Sequence, residues 1–152
     1  MGCNDEVSED LFHISTDSEL LNKLYDQSVD TLYIDGHRFI LDAFLWRDYM
    51  PICPPDGKNL ISINWLINID SVSIPDNLDI TNQYVINNDS IWLANYETDT
   101  IDTSPFKIKK SSSNGPKWGP NISVDVIVKV FDTDRMNDYY IRKIGVPIYK
   151  IY

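Results

Sequence analysis

Several things are scarce in this chain, and each scarcity removes a class of function. Cysteine occurs twice, at Cys3 and Cys53, and neither belongs to a Cys-x-x-Cys pair. With only His13 and His37 to assist, a zinc site is excluded and no metal is expected. A Cys3–Cys53 disulfide rests on parity alone. Basic residues are few: 13 Lys and Arg stand against 23 Asp and Glu, for a formal net charge of −10. Such a field repels a phosphate backbone, so nucleic acid is not an expected partner. The Lys107, Lys109, Lys110 and Lys117 cluster lies in a Ser-rich stretch and reads as a solvated loop. No apolar run reaches the roughly 18 residues needed to span a bilayer.

Catalytic furniture is equally thin. No Gly-rich phosphate loop occurs, and Cys53 lies among prolines without an activating base. His37 has Asp35 and Asp42 within reach as partners, but no nucleophile elbow stands beside it. No catalytic residue and no cofactor are assigned, and the chain is read as non-enzymatic. Asp132, Asp134, Asn137 and Asp138 crowd one turn that could offer oxygens to calcium. The glycine and distal glutamate of an EF-hand loop are missing, and the turn chemistry of Asp and Asn accounts for the cluster.

What the chain does have is β-branched and aromatic side chains. At 152 residues it fits one domain, with Ile, Val, Tyr and Trp plentiful and Ala scarce. Residues 114–132 organise the rest. Their first half, Asn-Gly-Pro-Lys-Trp-Gly-Pro-Asn, is an irregular elbow around Trp118, which reads as a plug pinned between Pro116 and Pro120. Their second half alternates: Ile122, Val124, Val126, Val128 and Val130 share one face, with Ser123, Asp125 and Lys129 on the other. Residues 59–70 alternate as cleanly. Ile61, Ile63, Trp65, Ile67 and Ile69 are expected in the core, with Ser62, Asn64 and Asn68 outside.

The remaining segments fit around those two ribbons. Residues 1–14 read as a disordered acidic tether. Thr16 with Glu19 predicts a capping box and a helix over about 16–27, with Leu20, Leu21, Leu24 and Tyr25 as its apolar stripe. Asp35-Gly36 between apolar runs predicts a hairpin. Its second arm is apolar on both faces: Phe39, Leu41, Ala43 and Leu45 on one, Ile40, Phe44 and Trp46 on the other. The helix is the expected lid for that second face. Further strands are expected at residues 84–86, 91–96, 106–109, 139–142 and 148–152, with Pro147 favouring an edge. About seven or eight strands at this spacing predict an all-β fold, an antiparallel immunoglobulin-like β-sandwich filling residues 15–152.

Three segments carry a resemblance. Leu45-Trp46-Arg47-Asp48-Tyr49-Met50-Pro51, Pro54-Pro55-Asp56-Gly57, and the elbow running into Val124-Asp125-Val126-Ile127-Val128 resemble a group of small exported bacterial proteins, often lipoproteins, with no established function. The resemblance covers roughly residues 39–142 and implies a β-sandwich outside the cytoplasm, with no catalytic residues to transfer. Gly2-Cys3 followed by a polar acidic stretch looks like the processed end of a lipoprotein, which would make Cys3 the lipid-bearing residue and the only link to a membrane. Myristoylation at Gly2 would want Ser or Thr where Glu6 stands. An incidental cysteine in a disordered tail is the remaining alternative.

The sequence therefore points to a non-enzymatic module of the bacterial cell envelope, lipid-anchored or secreted, that binds a protein or glycan through its loops. Trp118, Trp46 and Arg47 are the candidate contact residues, with Arg47–Asp48 also readable as a mutually satisfied pair. The alternative is an acidic inhibitor or immunity protein steered onto a basic enzyme or toxin.

Overall fold

Alternating branched residues become strand almost everywhere along the residues that the computed structural model describes, 13–50, 55–96 and 104–152. In chain order the elements are β1 (His13–Ser15), α1 (Ser18–Gln27), β2 (Ser28–Val29), β3 (Thr31–Ile34), β4 (His37–Asp48), β5 (Leu60–Asn68), β6 (Leu78–Asn87), β7 (Ser90–Asn95), β8 (Lys107–Gly115), β9 (Ser123–Asp132) and β10 (Asn137–Ile151). Hydrogen bonds join them in the order β1-β7-β6-β9-β10-β4-β5-β8, with β2 beside β10 and β3 beside β4. Cys3 and Cys53 lie outside the described residues.

The fold is all-β with one short helix. In place of the expected antiparallel immunoglobulin-like sandwich there is one curled, mixed sheet, a half-barrel, because β10 runs parallel to both β2 and β4. The cause lies in β10 itself. The two strands expected near the C-terminus are one strand of 15 residues. It pairs with β9 as far as Pro147, shifts register between Lys143 and Val146, and then pairs with β4 from Ile148. Gly145, at φ +70°, sits in that shift, a conformation that favours glycine. Pro147 thus marks a corner where the strand changes partners, rather than an open edge.

The helix is also placed differently from expectation. Asp17, rather than Thr16, is its N-cap, accepting from the backbone N–H of Glu19 at 2.9 Å and of Leu20 at 3.4 Å. A carboxylate at that position also meets the positive end of the helix dipole. The helix covers β6, β7, β9 and β10 rather than β4: Leu24 packs with Ile86, Ile91, Ile127 and Tyr140. Its exit leads directly into β2, which pairs with β10, and Arg142 on β10 donates to the carbonyls of Tyr25 and Ser28. That connection holds the helix over this half of the sheet.

The interior is lined by β9 as expected, with Val124, Val126, Val128 and Val130 buried. Ile122, expected with them, is exposed. On β5 the expectation is reversed. Leu60, Ser62, Asn64, Leu66 and Asn68 face inward, and Ile61, Ile63, Trp65 and Ile67 face outward. Ser62 and Asn64 find partners across the half-barrel, while Asn64 Oδ1 and Gln83 Nε2 are left without one among the described residues. Gln83 Oε1 accepts from Ser62 Oγ and from Asn64 Nδ2, both at 2.5 Å, and Asn64 Nδ2 lies 2.7 Å from the Tyr96 hydroxyl. Buried polar groups are tolerated where they are paired in this way. Shifting a strand by one residue exchanges its faces, so these partners decide which face of β5 goes in.

Candidate functional site

The reversal of β5 turns a row of apolar side chains to the outward face of the sheet. Pairing of β4 with β5 sets Ile40 beside Ile67, Asp42 beside Trp65, Phe44 beside Ile63 and Trp46 beside Ile61, all on the outward face. The C-terminal end of β10 adds Tyr149 beside Trp46. The Phe44 ring stacks on Tyr149 at 5.3 Å between centroids and leans on Trp46 at 5.3 Å. Isolated apolar side chains on a surface mean little, whereas a contiguous apolar patch marks a contact surface.

Charges frame this face. Strand β8 continues the rows, with Lys109 beside Trp65 and Lys107 beside Ile67. Of the cluster expected as a solvated loop, Lys107, Lys109 and Lys110 lie on the terminal strand of the sheet, which begins near the strand expected at 106–109, and Lys117 lies beyond it. Lys110, of opposite orientation, pairs with Asp79 at 3.0 Å, and Lys117 pairs with Asp56 at 3.1 Å. Arg38 holds Asp70 in a two-pronged ion pair at one end of the face, and that guanidinium keeps the Asp70 carboxyl below its usual range. Asp42 and Lys109 have no ion-pair partner among the described residues.

The three residues expected to meet a partner are separated by the fold. Trp46 belongs to the outward face. Arg47 points the other way and is 2% exposed. Its guanidinium donates to the carbonyls of Asp56, Lys58, Lys117 and Gly119, with Lys58 O at 2.9 Å and Gly119 O at 2.8 Å. It does not pair with Asp48, whose carboxylate accepts from the Met50 N–H at 3.0 Å. Trp118 is half-buried against the core, and Arg47 grips the backbone on both sides of it. Arg47 and Trp118 thus hold the elbow at residues 115–120 against the core rather than facing outward. Behind them the Trp92 ring lies so close to Gly115 that a Cβ there would approach it within 2.8 Å.

No family model, no curated protein and no solved structure matches this chain. Its chemistry is read from its own residues.

Other expected sites resolve into structural roles. His37 Nδ1 is 3.1 Å from Asn68 Nδ2 rather than paired with Asp35 or Asp42. In the acidic turn the Asp132 carboxylate accepts from Asn77 Nδ2 at 2.7 Å and from the Asp134 N–H at 3.0 Å. Those donors, the Asn77 amide first, hold its carboxyl below the ordinary range. Among the described residues no three His, Cys, Asp or Glu side chains gather to hold a metal. The same residues contain no helix long and apolar enough to cross a membrane.

Sequence reasoning missed Ile61, Ile63, Trp65 and Ile67 as surface residues because it placed them in the core. One signal was available: residues 39–46 carry a second apolar face, which needs a cover, and the helix covers something else.

Proposed function

We propose that this chain is a non-enzymatic binding module whose contact surface is the outward face of β4 and β5, completed by Tyr149. The observation that carries this reading is the inversion of β5. Among the described residues, the fold leaves a row of isoleucines and Trp65 only half-buried on the outward face while fully burying Ser62 and Asn64, an arrangement that favours contact with another apolar surface over monomer stability alone. The partner class is protein. A sugar stacks on an open ring face, but Phe44, Trp46 and Tyr149 lean on one another, and the surrounding isoleucines offer no hydrogen bonds to hydroxyl groups. Contact is made through a sheet face, not through loops. The module belongs outside the cytoplasm, held by a lipid on Cys3, and the intact mass of membrane-extracted chain tests that part.

The test of the surface is site-specific photocrosslinking in living cells. Trp65→p-benzoylphenylalanine is expected to give a protein adduct, while Asn22→p-benzoylphenylalanine, on the exposed side of the helix, gives none. Equal labelling at the two positions, or none at 65, defeats the proposal. The net charge of −10 favours a second reading, an inhibitor of a basic enzyme, which predicts capture that disappears as salt is raised.

A further inference from the structure

Resting on that reading of the face, we infer that its occupant is a second copy of this chain, packed face to face with Trp65 near a two-fold axis and Asp42 of each copy opposite Lys109 of the other. The sheet register supplies the geometry. Asp42, Trp65 and Lys109 form one row across three adjacent strands, β4, β5 and β8. Strands in a sheet lie about 4.8 Å apart, so an acid and a base flank the indole at roughly equal distances.

A two-fold axis lying in the interface within about 15° of the strand direction and passing by Trp65 exchanges the two flanks. It lays the Asp42 side of one copy over the Lys109 side of the other, twice by symmetry. This is the isologous arrangement, in which one patch is its own complement. The flanking rows tolerate the same operation. Ile40 meets the Lys107 side of the other copy, where a lysine stem can cover an apolar side chain, and Ile67 and Ile63 meet their own kind near the axis. Packed sheets cross at about 30°, which keeps the central row in contact and lets the outer rows diverge.

Charge balance favours a second copy over a foreign partner. At a net −10, two copies repel across most of their surfaces. This face is different: Lys107 and Lys109 stand on one flank and Asp42 on the other, and neither Asp42 nor Lys109 is spent on an ion pair among the described residues. Opposite charges at these two positions serve no ion pair among the described residues. They are placed to pair between chains.

The test is sedimentation velocity on the purified chain at about 0.1 mM. The chain is expected to run at twice its 17.6 kDa mass. Asp42→Lys and Lys109→Asp, each alone, set like charges opposite one another and are expected to weaken dimerisation by about tenfold or more. The double variant restores opposite charges in exchanged positions and is expected to return to within a few-fold of the starting affinity. Dimerisation unchanged by either single reversal overturns the inference, as does a double variant no better than the singles. A purified chain that stays monomeric while position 65 still crosslinks to a different protein overturns the second copy and leaves the binding face standing. Monomer with no adduct at 65 removes both.

Discussion

The two outward faces of the half-barrel are built from the same materials and end differently. On one, Ile86, Ile91, Ile127 and Tyr140 lie beneath Leu24, Leu20, Leu21 and Tyr25 of the helix. On the other, Ile40, Phe44, Ile61, Ile63, Trp65 and Ile67 have no such cover among the described residues. Among the described residues there is thus one lid for two apolar faces. A helix of ten residues is marginal alone in water, so its packing against the first face orders the helix as much as it covers the sheet. What the contrast teaches is that apolar alternation marks a surface to be covered without saying what covers it.

The sharpest way to break this comparison is to place the same charge on each face. Ile127→Lys buries an ammonium under the helix, in register with the Arg142 guanidinium of β10. It is expected to cost more than about 4 kcal/mol and to leave the chain largely unfolded by circular dichroism. Ile63→Lys puts the charge on the open face, where it reaches water, and is expected to cost about 1 kcal/mol or less in urea unfolding under dilute conditions. Similar losses from the two variants would mean that the second face is covered within the chain after all.

A smaller effect sharpens the helix side. Leu24 is 1% exposed at the centre of the covered face. Leu24→Ala removes its buried methyls and leaves a cavity, for an expected loss of about 2–5 kcal/mol in the same unfolding measurement. A loss under about 1 kcal/mol would show the helix to be a loose appendage rather than a lid.

Much of the architecture was legible in the sequence. The Asp35-Gly36 hairpin forms with both residues at positive φ, and the Val124–Val130 alternation buries its apolar side because Asp125 and Lys129 oppose it. Charge on one face broke the tie. On β5 no charge does so: Ser62, Asn64, Leu66 and Asn68 oppose the isoleucines, and neither face carries an ionised group. That absence is itself a clue in a chain this rich in acids, since a solvated face would be expected to share in them. The deciding groups, Gln83 and Tyr96, lie about two or three strand-lengths further along the chain, where pattern reading does not reach. Arg47 escaped for the same reason. Its carbonyl partners at Lys117 and Gly119 are brought to it only by the fold, whereas the neighbouring Asp48 offered an obvious but unused pair.

The finest difference between the faces is a proton. Tyr25 donates to Asp125 Oδ2 at 2.5 Å, the hydrogen bond that ties the helix to β9. Burial first, and then that bond to a carboxylate, push the Tyr25 hydroxyl above its ordinary range. The folded chain therefore keeps this proton at a pH where the unfolded chain has begun to lose it. Protons are then more numerous in the folded state, and stability falls as pH rises. The contribution is intact below the unfolded tyrosine value of about 10 and disappears above it. Tyr25→Phe is expected to cost about 1 kcal/mol near neutral pH, since it removes one hydrogen bond at a partly buried site. It should also make the decline in urea midpoint between about pH 9 and pH 11 shallower than in the unaltered chain. Tyr84 and Tyr96, also raised by burial, keep that decline from vanishing. If the alkaline slope does not change, the helix is released before Tyr25 titrates, and the lid is held by Leu24 and the apolar contact alone.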